Sequence, residues 1–185
     1  IITMENQRVL LFSGKSTTPI GFGGSMNYRA LEMYEVDKIE MIDATCFIKN
    51  AWRMVEGQLR LVQINWTDHE LPNGLKWHKK RFKETLELRG RAFGCFDENQ
   101  LIGYATLNAD IFGNSYKYVL LDQMFISNGS RNKGIGKALF DMCASQARQW
   151  GAQKLYLCAG SSEDTIAFYH KLGCVDALEI GRAHV

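Results

Sequence analysis

Apolar residues recur along this chain at two periods, and blocks of each period alternate. Over 135–150, Leu139, Met142, Cys143 and Ala147 fall at i, i+3, i+4 and i+8, which lays one apolar stripe along a helix. A second helix is predicted over 75–88, with Leu75, Phe82 and Leu86 on one face and Lys76, Lys79, Lys80 and Lys83 largely elsewhere. Val36, Ile39 and Cys46 suggest another over 36–48, and 163–171 reads as a short helix stopped by Gly173. Strand-like runs cover 27–32, 91–96, 101–107, 116–126 and 154–158. Asp97-Glu-Asn-Gln100 is a hairpin signal, and Gly113-Asn114 marks a turn within 109–115. Residues 50–73 mix aromatic and polar side chains, up to a turn at Pro72-Asn73-Gly74.

The middle of the chain is therefore an antiparallel meander. The strand, helix and strand after it need a crossover, which gives one parallel pair. The predicted fold is α/β: a single mixed, mostly antiparallel central sheet flanked by helices. Residues 1–25 lack this regularity and form an N-terminal extension, either an expression scar or an extra strand (8–12) followed by a loop (16–25). The regular domain spans 26–185.

At 185 residues the chain is long enough to bury a core without a metal or a disulfide. A net charge of +2 gives no argument for nucleic acid or an anionic membrane. The five cysteines contain no C-x-x-C pair, and His69, His78, His170 and His184 stand at no zinc spacing to them. Reduced thiols in a cytoplasm and no metal fit this pattern. No apolar run approaches the ~20 residues of a membrane span.

The stretch Gln123-Met-Phe-Ile-Ser-Asn-Gly-Ser-Arg-Asn-Lys-Gly-Ile-Gly-Lys-Ala-Leu139 carries the chemistry. A strand ends at Ile126, a loop follows, and a helix begins within Gly134-Ile-Gly136. Glycines there let a ligand approach the backbone, and a helix N-terminus offers free N–H groups and partial positive charge. That suits a phosphate or pyrophosphate. A Walker loop is excluded because Ile135 stands where lysine is needed, and a dinucleotide fingerprint because Leu139 replaces the third glycine. What remains is R-x-x-G-x-G, Arg131-Asn-Lys-Gly-Ile-Gly136, against the alternative of a turn that only packs a helix on a sheet.

About thirty residues on, Ser161-Ser-Glu-Asp-Thr-Ile-Ala-Phe-Tyr-His-Lys-Leu-Gly-Cys174 puts a tyrosine on a short helix. With Gly94-Cys-Phe-Asp-Glu-Asn-Gln-Leu-Ile-Gly-Tyr104, these pieces resemble, in order and spacing, the GNAT superfamily of acetyl-CoA-dependent N-acetyltransferases. The resemblance is close over 118–175. It implies transfer of an acetyl group from acetyl-CoA directly to a primary amine of a small molecule or peptide. A non-catalytic acetyl-CoA sensor or inactive relative is the alternative.

The resemblance assigns roles by position. Met124, Phe125 and Ile126 match the strand end that pairs with the pantetheine arm, and the N–H groups of Arg131, Asn132, Lys133, Gly134, Ile135, Gly136 and Lys137 match the pyrophosphate cradle. Tyr169 matches the general acid for the departing thiolate, or is a core aromatic. Ser162 stands where many relatives carry an asparagine beside the cofactor. Asp122 shares a face with Met124 on an ideal strand, which makes it the candidate base, or else a carboxylate bonded at the sheet. Many relatives continue beyond Cys174 into strands that wall the acceptor side. Three readings follow: the chain is truncated there, or it borrows a strand from its N-terminal segment, or from a second subunit of a homodimer.

Overall fold

The computed structural model describes residues 7–14 and 26–177, so the loop expected over 16–25 lies outside the described residues. A seven-stranded sheet runs in the order β2 (Met26–Ala30), β5 (Arg91–Asp97), β6 (Gln100–Leu107), β7 (Tyr118–Ile126), β8 (Lys154–Gly160), β1 (Gln7–Phe12), β9 (Val175–Asp176). Only β7 and β8 pair in parallel; the other neighbours are antiparallel. The predicted mixed, mostly antiparallel sheet with one parallel pair is the observed one. β1 lies along β8, from Gln7 opposite Gly160 to Phe12 opposite Leu155, so the N-terminal segment supplies the outer neighbour of β8.

Helices cover both faces. α2 (Ile135–Gln149) and α3 (Glu163–Lys171) bury Leu139, Phe140 and Ile166 against Leu107, Val119, Leu121, Leu155 and Leu157. On the other face, α1 (Leu75–Glu87) and a 3-10 segment (Met33–Met41) bury Phe82 and Ile39 against Phe96, Leu101 and Tyr104. Alternation along β6 explains the division: Ala105 and Leu107 face α2, and Tyr104 faces α1. Within the basic group of α1, Lys79 ties the helix to the 3-10 segment by bonding Asp37 (2.8 Å) and Glu40.

The sequence reading departs from the structure in one region. The helix expected over 36–48 is the shorter 3-10 segment, and a long hairpin follows: β3 (Cys46–Val55) and β4 (Gln58–Asp68). Its turn is Glu56-Gly57, both at positive φ (50° and 76°), the geometry of a two-residue hairpin loop. Glutamate is an uncommon residue at that position, and β4 is exposed along much of its length, so neither a turn signal nor a strong alternation marked it. The hairpin forms its own two-stranded sheet.

Phe82 is fully buried between α1 and the sheet. Phe82→Ala is expected to cost about 3–5 kcal/mol in urea unfolding, the range for a phenylalanine cavity that cannot collapse. A loss below about 1 kcal/mol would show that α1 repacks freely.

Candidate functional site

The sheet opens between its two parallel strands. β7 and β8 pair from Tyr118 opposite Lys154 to Leu121 opposite Leu157, and no further. β7 continues to Ile126 and β8 to Gly160. Among the described residues, 122–126 thus have a strand partner only on the β6 side. Such an edge can accept an extended ligand as if it were another strand.

The parting coincides with a β-bulge. Thr106 faces Gln123 and Leu107 faces Leu121, so Asp122 is an extra residue on β7. The bulge reverses the alternation. Val119 and Leu121 face α2, whereas Gln123 bonds His78 of α1 and Phe125 packs on the α1 side. Met124 and Ile126 pack on the α2 side.

The expectation that Asp122 shares a face with Met124 is therefore corrected, because it assumed an ideal strand. Asp122 is gripped by α1: Arg81 donates to both carboxylate oxygens, at 2.8 and 3.1 Å. The same bond raises the pKa of Arg81 further, which keeps the guanidinium charged.

One turn earlier on α1, His78 is buried beneath β7. Its Nε2 lies 2.8 Å from the Pro72 carbonyl, which can only accept, so Nε2 carries a proton. Its Nδ1, Gln123 Oε1 and the Tyr104 hydroxyl stand mutually at hydrogen-bonding distance, 2.9 Å from Nδ1 to Oε1, 3.1 Å from Nδ1 to the hydroxyl and 2.7 Å from the hydroxyl to Oε1. The ring stands edge-on to Phe125, with centroids 4.8 Å apart. His78, Arg81, Tyr104 and Gln123 were not among the sequence candidates. The signal present was the spacing of His78 and Arg81 on one helix face.

The loop after β7 leads into α2 through Gly134, whose φ of 81° is left-handed. Glycine adopts that angle without strain. No side chain caps the helix, and its first internal bond runs from Ala138 N–H to the Gly134 carbonyl. The N–H groups of Ile135 and Gly136 precede that bond and have no acceptor within the helix. Gly136 has a packing reason as well, since a Cβ there would stand 3.0 Å from Phe168 of α3. Asn132 and Lys133 are exposed on the loop, and the Ile135 side chain enters the core.

Three of the residues expected at the cofactor also make bonds within the protein. Arg131 Nε donates to the Ile126 carbonyl (3.2 Å), a terminal nitrogen donates to Ala44 (3.4 Å), and its own N–H donates to Asn128 (3.3 Å). These bonds staple the loop to the end of β7 and to Ala44. The Ser162 hydroxyl caps α3, accepting from Thr165 N–H (3.3 Å) and donating to Thr165 Oγ1 (2.7 Å). Lys137 pairs with Asp141 at 2.5 Å.

The hairpin bridges the two lips of the opening. Just before it, Asn128 N–H on the β7 lip donates to the Asp43 carbonyl (2.9 Å). Farther along β3, Trp52 N–H donates to Ser161 (2.8 Å), Arg53 donates to Ser161 Oγ (2.5 Å), and Asn50 donates to Glu163 (2.7 Å).

Tyr169 lies on α3 in the same cluster as Met124, Ile126 and Ile135. Its ring packs against Phe168 and Phe140, at centroid distances of 5.1 and 6.2 Å. Burial, then the neighbouring Cys174 and Cys143 thiols, raises its pKa well above the ordinary phenol value. The phenol stays protonated, able to donate and unable to act as a base near neutral pH. Among the described residues no group of three or more His, Cys, Asp or Glu could hold a metal ion. No described helix is long and apolar enough to cross a membrane.

A mixed, mostly antiparallel sheet parted at its one parallel pair, with a glycine-led helix following the parted strand, defines an α/β protein of mixed-sheet architecture. The profile of the acetyltransferase (GNAT) family matches residues 58–174, and the chain belongs to that family. No curated protein sequence matches it. Its fold is similar to that of nourseothricin acetyltransferase (TM-score 0.64, 19% identity, covering 80% of this chain and 82% of that one). A Bacillus anthracis protein named as a streptothricin acetyltransferase, in complex with acetyl coenzyme A, gives a TM-score of 0.60 at 18% identity over 80% of this chain and 83% of its own. The aminoglycoside N-acetyltransferase AAC(6')-Iy, in complex with CoA, gives 0.58 at 14% identity over 90% and 98%.

Burial holds the His78 pKa below its ordinary value, against raising contributions from the Gln123 and Pro72 bonds. As pH falls through ~6.5, the unfolded imidazole takes a proton and the folded one resists, so the unfolded state binds more protons and stability falls. Urea unfolding of the wild type should therefore lose midpoint between pH 7.5 and 5.5, and His78→Phe should lose less. Equal slopes for the two proteins would show that His78 does not titrate on unfolding.

Proposed function

We propose that the protein is an N-acetyltransferase that moves an acetyl group from acetyl-CoA to a primary amine of a small molecule or peptide. The observation that carries this reading is the coincidence of the unpaired 122–126 edge with the uncapped N-terminus of α2. Family membership and the CoA-bound neighbours support it. The backbone of Met124, Phe125 and Ile126 pairs with the pantetheine arm, and the N–H groups of 132–137 receive the pyrophosphate, helped by the helix dipole and by Lys133. Five free thiols suit a reducing compartment such as the cytoplasm.

Acetyl-CoA brings an activated acyl group, and this chain's own groups do the rest. The β7 edge orients the acyl carbon toward an amine entering from the acceptor side, which makes an otherwise bimolecular encounter local. An N–H of the edge stabilises charge growing on the carbonyl oxygen. As the neutral amine forms the C–N bond and the C–S bond breaks, Tyr169, held neutral by burial, gives its proton to the sulfur and regains one from the nitrogen through water.

The test is acetyl-CoA binding by calorimetry, together with release of free CoA thiol across polyamines, aminoglycosides, amino acids and peptide N-termini. Binding without release for any amine would favour a sensor; no binding would remove the reading altogether. Two variants probe the parts. Because Gly134 is left-handed and Gly136 abuts Phe168, glycine substitutions would disturb the fold, so the exposed Lys133 is the better probe. Lys133→Glu should weaken acetyl-CoA by about 10-fold, or ~1.4 kcal/mol, and more at low salt. Tyr169→Phe should lower turnover by about 100-fold with acetyl-CoA affinity nearly intact, because the proton is needed only as the thiolate leaves.

A further inference from the structure

Asp122 and Gln123 are the two β7 residues at the bulge, and both are held from the same helix. Arg81 takes both oxygens of Asp122, and His78, one turn away on α1, takes Gln123 together with Tyr104 of β6. A bidentate guanidinium–carboxylate pair fixes orientation as well as distance. The Asp122 side chain is 9% exposed and that of Arg81 24%, so the pair is largely shielded from water. Both carboxylate oxygens are thus engaged by one partner on α1. A free base needs at least one oxygen open toward the substrate.

Past this point β7 leaves β8, and the odd and even residues exchange faces. Without the extra residue, Met124 and Ile126 would turn toward α1 and Gln123 toward α2. Whatever fixes the bulge therefore fixes which face of 122–126 meets a ligand.

We propose that Arg81 and His78 grip the β7 bulge through Asp122 and Gln123, making Asp122 a positioning residue that holds the strand edge rather than the base that deprotonates the amine. This rests on the acetyl-CoA reading for its consequence in catalysis, but the grip itself is a property of the cofactor-free protein and can be measured there.

Arg81→Gln, Asp122→Asn and the double variant are compared with wild type, and Arg81→Lys keeps the charge while losing the two-pronged geometry. The first readout needs no cofactor: backbone amide exchange by mass spectrometry, following the peptide that contains 122–126 against one from β5. Exchange of the β7 peptide should rise at least about 10-fold in both single variants, with β5 unchanged and Arg81→Lys intermediate. The double variant should be no worse than either single one, as expected when both remove one interaction. The second readout is catalytic. Acetyl-CoA KM should rise about 10-fold in each single variant with kcat within a few-fold, and the acid side of the pH–rate profile should match wild type.

Two results would overturn the proposal. One is an Asp122→Asn variant with normal exchange and normal KM but kcat lowered 100-fold and the acid limb abolished, while Arg81→Gln behaves as wild type; Asp122 is then the base. The other is exchange that rises equally in β5 and β7, which marks an ion pair of general structural value. If Arg81→Gln does not fold, Arg81→Lys and Asp122→Asn carry the same comparison. A wild type that binds no acetyl-CoA removes the functional reading, and the exchange experiment still decides the grip.

Discussion

The parting of β7 from β8 is the constraint around which the rest of this molecule is arranged. Backbone N–H and C=O groups in a sheet interior need partners, and an unpaired stretch at the centre of a seven-stranded sheet is costly unless water or a ligand supplies them. Left alone, two parallel strands this apolar would zip to their ends. Two devices oppose that. The bulge at Asp122, clasped from α1, turns β7 out of register, and the stretch before and along β3 is bonded to both lips, at Asp43 and at Trp52. The opening is thus held by side chains on one strand and by a crossbar between the two.

Much of this was legible in the sequence where the information is local. α2 and α3 announce themselves by apolar spacing and by their glycines, and the observed Ile135–Gln149 and Glu163–Lys171 fall within a residue of expectation. The β5–β6 hairpin was equally plain. What was not legible is relational. A bulge is a fact of register between two strands, and nothing in Leu-Asp-Gln-Met says that one residue is extra. The partner of Asp122 is Arg81, forty-one positions away. The β3–β4 hairpin was missed for a different reason: its side chains are half-covered or exposed on both faces, so the period-2 signal that marks a buried face is weak.

The cations near the glycine loop show how function and fold divide the same residue type. The resemblance placed the N–H groups of Arg131, Lys133 and Lys137 at a pyrophosphate, and their side chains lie on the same loop and helix start. Arg131 ties the loop to the end of β7 and to Ala44, and Lys137 balances Asp141 on its own helix. Lys133 stays exposed. In the proposed complex a pyrophosphate would be met chiefly by backbone N–H groups and the α2 dipole, with one lysine in support. That arrangement asks little of the side-chain charge, in keeping with a net charge of only +2.

The burial of Tyr169 sets what a pH profile of the proposed reaction can report. A phenol packed between Phe140 and Phe168, its pKa raised by desolvation, keeps its proton across the physiological range. It is never the group whose ionisation turns the rate on or off there. Both oxygens of Asp122 are engaged by Arg81. The proposed acceptor is an alkylammonium with a pKa of ~10, whose neutral fraction grows tenfold per pH unit below that value. The rate at subsaturating amine should then climb with pH at close to unit slope, without a plateau near neutrality. The position at which it levels off reports the amine and not the enzyme. Changing the acceptor to a less basic amine should move that point, whereas an enzyme base of pKa near 7 would hold it in place for every acceptor.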